Sequence, residues 1–245
     1  MRSNGGVGKT LRARGAGLLR ARVTGLLFAL AACASAAGAQ EAGGLARLDP
    51  ESGGAAQGVF GSESAANEFG LWGGGSWDSP TAIGSAREAR LGLLGLRYAR
   101  VLARGDSLAL KYTVDAVPYA ALSYEAEVLE PLPQVGSRVR RVRRTITGAG
   151  LAPVGFQLNF RRRERLQPFA QASGGFLYFG ERVPLEGGAQ FNFTADFGGG
   201  LQWRTGARRA WTFGYRYHHV SNAYRAPSNP GFDANLFYVG YSIFR

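Results

Sequence analysis

From residue 68 onward the chain is written in short stretches where apolar and polar residues alternate with period two. That is the pattern of a β-strand with two unlike faces. The clearest stretch is 107–116, where Leu108, Leu110, Tyr112, Val114 and Ala116 share one face and Ala109, Lys111, Thr113 and Asp115 the other. In 190–204, Phe191, Phe193, Ala195, Phe197, Leu201 and Trp203 oppose Asn192, Thr194, Asp196, Gln202 and Arg204. In 211–221, Trp211, Phe213, Tyr215 and Tyr217 oppose Thr212, Gly214, Arg216 and His218. In 236–244, Phe237, Val239, Tyr241 and Ile243 oppose Tyr238, Gly240, Ser242 and Phe244. Weaker alternation at 68–77, 89–102, 148–162 and 167–179 brings the expectation to eight strands. Gly, Pro, Asn and Arg-rich breaks separate them, and 119–146 reads as an insertion. No convincing amphipathic helix appears.

Two architectures can bury one face of such strands. A soluble sandwich or lipocalin-like barrel turns the apolar face inward, and a membrane barrel turns it out to lipid. Three features favour the second. One face is rich in aromatic residues, as interfacial girdles are. The other carries Lys111, Asp115, Asp196, Arg204 and Arg216, which a dry core would not hold unpaired. The chain also closes on an alternating aromatic strand with Phe244 next to last, although Arg245 departs from a terminal aromatic. The expected fold is all-β, an eight-stranded antiparallel transmembrane outer-membrane β-barrel. After residue 40 no apolar run reaches the ~18 to 20 residues that a membrane helix needs.

Composition adjusts this picture. The 245 residues hold 29 Lys+Arg against 17 Asp+Glu, a formal charge of +12. Six of the positive charges (Arg2, Lys9, Arg12, Arg14, Arg20, Arg22) lie in residues 1–22, where there is no acid. The apolar stretch Val23 to Ala36 and the small residues Ala37-Gly38-Ala39 follow, so 1–39 reads as a secretory signal peptide cleaved before Gln40. Leu30-Ala31-Ala32-Cys33 competes as a lipoprotein box. Without the signal the balance is 23 against 17. Residues 40–66 read as a flexible leader rich in Gly, Ala, Ser and Glu, and 67–245 as the barrel. The arginines cluster at Arg138, Arg140, Arg141, Arg143 and Arg144, and again at Arg161, Arg162, Arg163 and Arg165. They fit either solvated loop charge or attraction to phosphorylated lipid headgroups. A single Cys excludes a disulfide framework, and two histidines exclude a multi-histidine metal site. No metal, cofactor or nucleic-acid partner is expected.

Candidate chemistry sits in the last 30 residues. Tyr217-His218-His219-Val220-Ser221-Asn222-Ala223 is followed by Asn229-Pro230-Gly231-Phe232-Asp233. In a strand, positions i and i+2 share a face with Cβ atoms about 7 Å apart, so His219 can reach Ser221. His218 falls on the opposite face. Asp233 is the only carboxylate in 197–245 and opens the next strand. His219, Ser221 and Asp233 are all odd-numbered, like the apolar positions of both flanking strands, which puts all three on the lipid-facing side near the loop end. That supplies a nucleophile, a base and a group to orient the base. The alternative is that His219 and Ser221 mark where a strand leaves the membrane, with Asp233 in the turn.

This segment resembles the outer-membrane lipid A 3-O-deacylase family of the PagL type. The likeness runs loosely over 148–245 and specifically over 215–233. The resemblance implies a small eight-stranded barrel, an esterase acting on lipid A of lipopolysaccharide in the outer leaflet, with a triad on its outer surface. Ser221 would be the nucleophile, His219 the general base and Asp233 the third member, where the family usually has Glu. Asn222, Asn229, Gly231 and the nearby backbone would surround the oxyanion. Asp is one methylene shorter, so the strands or turn must bring it closer to His219. The outer-membrane phospholipase A family shares a His-x-Ser-Asn pattern, but it uses an amide third member, calcium and twelve strands. A non-enzymatic structural or adhesive barrel with a degenerate site is the competing class. Monomer and dimer both remain open.

Overall fold

The computed structural model describes residues 65–86, 88–131, 136–183 and 187–245. The expected signal peptide (1–39) and most of the expected leader (40–66) lie outside the described residues. Eight strands follow in order: β1 Asn67–Gly75, β2 Arg90–Arg104, β3 Leu108–Pro131, β4 Ser137–Phe160, β5 Leu166–Val183, β6 Ala189–Gly206, β7 Arg209–Ser221 and β8 Phe232–Phe244. Each pairs antiparallel with its neighbours in sequence, and β1 pairs with β8, so the sheet closes into a barrel. Asn67 and Arg245 exchange backbone hydrogen bonds of 2.8 and 2.9 Å at the seam. Closure leaves no unpaired edge along the barrel wall. No described residue is helical.

The two ends differ. The start of β1, the end of β8 and the tight connections 105–107, 161–165 and 207–208 occupy one. The end of β3 and the start of β4, the end of β5 and the start of β6, and the connections from β1 to β2 and from β7 to β8 occupy the other. The strands match the expected stretches except at two places. The 119–146 segment is not an insertion loop: β3 continues to Pro131 and β4 starts at Ser137, and the two pair with each other beyond their last pairs with β2 and β5. Its alternation was hidden because the residues concerned are charged. Glu125 stands opposite Arg143, Glu127 opposite Arg141 and Glu130 opposite Arg138, and such cross-strand opposite charges support pairing. The Arg138–Arg144 cluster therefore belongs to a strand and is partly matched by glutamates at 2.9 to 3.7 Å. The last strand extends ahead of the apolar alternation at 236–244 and starts at Phe232, next to the Asp233 expected to open it, because Asp233 and Asn235 pair with β7.

The faces are inverted relative to a soluble protein. Phe197, Leu201, Trp203, Trp211, Phe213, Phe237, Val239 and Ile243 are exposed on the outer wall. Lys111, Asp115, Asp196, Arg204 and Arg216 are buried inside. Asp115 and Lys111 lie in ion pairs, and Arg204 stacks over the Phe244 ring at 3.9 Å and donates to the Ala207 carbonyl. Asp115 accepts hydrogen bonds from Arg97 Nη2 at 2.6 Å, Arg216 Nη1 at 3.2 Å and Trp72 Nε1 at 3.2 Å. Lys111 donates to Glu68 at 2.7 Å and to Gln202 at 3.1 Å. Glycines on this face make room for large rings. A Cβ at Gly214 would lie 2.3 Å from the Tyr238 ring, and one at Gly95 2.2 Å from Trp72. Toward the long-connection end the filling becomes apolar, with Leu91, Leu122, Leu177, Phe179, Val183, Val220, Phe232 and Leu236 almost fully buried. The barrel interior is thus a packed plug with a polar half and an apolar half.

Candidate active site

His219 and Asp233 are directly opposed in the β7–β8 ladder, at the long-connection end. Opposed residues of an antiparallel pair have Cβ atoms about 4.5 to 5.5 Å apart, a span that even the shorter carboxylate crosses. His219 Nδ1 lies 2.6 Å from Asp233 Oδ1. An ionised carboxylate can only accept, so Nδ1 donates to it and Nε2 lies on the side of the ring away from Asp233. Both residues stand on the outer wall, in the row that includes Tyr215, Tyr217 and Phe237. His218 is inside, with Nδ1 3.5 Å from Asp196 Oδ2.

Ser221 closes β7 on the same face as His219, opposite Phe193 of β6. It makes no hydrogen bond to His219, and Gly231 sits between them. Gly231 has φ +59°, a backbone conformation that side chains disfavour. A Cβ there would lie 3.3 Å from His219 Cε1 and 3.5 Å from Ser221 Cβ. A side chain there would press on the edge of the imidazole. Asn222 and Asn229 are spent on the turn. Asn222 N donates to Asn229 Oδ1 at 2.9 Å, and Asn222 Nδ2 donates to the Ser228 carbonyl at 2.7 Å. Ala223 and Tyr224 then take left-handed backbone angles, φ 53° and 61°, which swing the chain away just after Ser221.

The sequence reading missed the β1–β2 connection. Asp233 is fully buried on the outer wall because residues 79–86 lie over it. Ile83 N and Gly84 N donate to its Oδ2 at 2.8 and 2.9 Å. Ser79 Oγ donates to the Asp233 carbonyl at 2.8 Å, and Ala86 bridges Phe232 in parallel. Nothing in the local sequence could have revealed this, since the partners are about 150 positions apart. An open cleft of about 550 Å³ lies against the same connection, lined by Trp77, Asp78, Arg90 and Arg143 among others, and includes none of the three candidate residues.

The fold and the site together describe a closed antiparallel barrel with a serine, a histidine and a carboxylate on its outer wall. The chain belongs to the lipid A 3-O-deacylase (PagL) family, whose model matches residues 106–242. Among solved structures, it is similar to the outer membrane enzyme PagL, with 19% identity over 73% of this chain and 99% of that one, at a TM-score of 0.47. It is also similar to Neisserial surface protein A (NspA), with 11% identity over 72% of this chain and 96% of that one, at a TM-score of 0.40. No curated protein matches the chain.

Proposed function

We propose that the protein is an outer-membrane serine esterase that removes the 3-position acyl chain of lipid A through a Ser221–His219–Asp233 triad. The observation that carries this reading is the 2.6 Å contact between His219 Nδ1 and Asp233 Oδ1 on the outer wall, two residues from Ser221. Family membership supplies the substrate class. The exposed apolar and aromatic outer wall supports a lipid-embedded barrel, exported by the signal peptide.

A catalytic group on the outer wall meets an acyl ester already lying in the leaflet. Ser221 Oγ attacks the ester carbonyl as His219 Nε2 takes its proton. Asp233 holds the Nδ1–H tautomer and stabilises the imidazolium. Backbone amides of Ala223 and Tyr224, just after Ser221, stabilise the oxyanion, a contribution worth ~10²-fold to 10³-fold in rate per donor in a serine protease. The tetrahedral intermediate collapses, and the sugar oxygen leaves with the proton from Nε2. Water then attacks the acyl-serine, passing its proton through His219 to Ser221 Oγ, and the fatty acid departs. Polar groups on the outer wall are affordable at this depth, because even a charge costs only ~0 to 1 kcal/mol near the interface. The test is mass spectrometry of lipid A from cells with and without the protein. Loss of one 3-linked hydroxyacyl chain supports the reading, and unchanged lipid A with folded protein in the outer membrane refutes it.

A further inference from the structure

We infer that the Ile83–Gly84 amide pair is a positioning device for the third triad member, and that it is what allows an aspartate to serve there. The inference rests on the esterase reading above. Asp233 is held at both oxygens. Oδ1 faces His219 at 2.6 Å, and Oδ2 accepts from Ile83 N at 2.8 Å and Gly84 N at 2.9 Å. With Oδ2 fixed by two donors from a second segment, the carboxylate has one orientation, and that orientation aims Oδ1 at the imidazole. The two amides also give a buried carboxylate hydrogen-bond partners where no cation touches it.

The segment is itself fastened to β8 and the β7–β8 turn. Ser85 N and Oγ both donate to the Pro230 carbonyl, at 2.8 and 2.7 Å, and Ala86 N donates to Gly231 O at 3.1 Å. The fit requires glycine at 84: a Cβ there would lie 2.7 Å from Phe232 Cα and 2.9 Å from its carbonyl carbon and amide nitrogen. Ile83 contributes its amide, and the residue itself is 46% exposed. Both residues precede the 106–242 stretch matched by the family model, so this clamp comes from a part of the chain outside that match.

The arrangement has a consequence that an ordinary structural loop lacks. With the clamp in place, a longer carboxylate is pushed against His219, and with the clamp displaced the longer side chain has room to reach it. The experiment measures kcat and KM separately for an ester substrate, using full-length protein folded in detergent, for Gly84→Ala, Ile83→Pro, Asp233→Glu and the Gly84→Ala/Asp233→Glu pair. Ser221→Ala is run alongside, and folding is read from heat-shifted gel mobility. Gly84→Ala and Ile83→Pro should each lower kcat by roughly 10²-fold with KM little changed, the cost expected of an ångström-scale misplacement. Asp233→Glu should lower kcat in the native background yet raise it in the Gly84→Ala background. Additive losses, full kcat in folded Gly84→Ala, or failure of both loop variants to fold would overturn the inference. Full activity in Ser221→Ala would instead overturn the esterase reading beneath it.

Discussion

Asp233→Asn isolates the orientation of the imidazole from the presence of the nucleophile and base. The substitution keeps size and shape, so the 79–86 segment can stay in place. Its amide oxygen can replace Oδ2 as acceptor for Ile83 N and Gly84 N, now 2.8 and 2.9 Å away. That choice turns the Asn NH₂ toward His219 Nδ1, where an oxygen stood at 2.6 Å. A donor facing Nδ1 demands its lone pair, and the proton moves to Nε2. The imidazole then offers a donor to Ser221 instead of a base. In serine triads the same exchange of Asp for Asn costs roughly 10⁴-fold in kcat, about 5.4 kcal/mol at about 1.36 kcal/mol per tenfold. The assay is turnover of a chromogenic ester by purified protein in detergent, with the labelling rate of Ser221 by a serine-directed phosphonate as a second readout. Both should fall together while the heat-shifted mobility of the folded barrel persists. A variant within tenfold of the native rate would falsify the tautomer argument and with it the role given to Asp233.

Ser221→Ala and His219→Ala should each abolish ester hydrolysis in a folded barrel; residual turnover in either, measured with the same ester, would displace it from the triad. His218→Ala should leave kcat near native, because that ring is buried inside the barrel beside Asp196 and cannot reach the outer wall. A loss equal to that of His219→Ala would show the face assignment to be wrong. Asp115→Ala should destabilise the barrel by about 3 to 5 kcal/mol, since it strands the Arg97 and Arg216 guanidinium groups in the interior without their carboxylate. The urea midpoint of folded protein in lipid or detergent reads this, and an unchanged midpoint would refute the charge-pairing account. Arg138→Ala and Arg141→Ala remove exposed pairs on the β3–β4 hairpin and should each cost no more than about 1 kcal/mol by the same measurement.

The sequence by itself determined the strands and their faces, because a strand's side chains alternate strictly and the chain keeps apolar and polar residues in phase for most of its length. The same parity put His219, Ser221 and Asp233 on one wall and His218 on the other, and the described geometry agrees for each of them. Alternation could not show the β3–β4 hairpin, where Glu125 to Glu130 and Arg138 to Arg144 pair by charge rather than by hydrophobicity. Nor could it separate a barrel interior that is polar at one end from one that is apolar at the other, since both lie on the same face of the same strands. The family resemblance made Asn222 and Asn229 site-support candidates, and only the fold shows that they bond to each other and to Ser228 across the turn after Ser221. What only the tertiary structure decided is the setting of Asp233. Its two amide donors lie on a connection 149 and 150 residues away, and they meet it because closing the sheet brings β1 beside β8. A hydrogen bond from a backbone amide leaves no mark on side-chain identity. Of that clamp, the sequence carries only a glycine at 84, in a stretch that otherwise reads as loop.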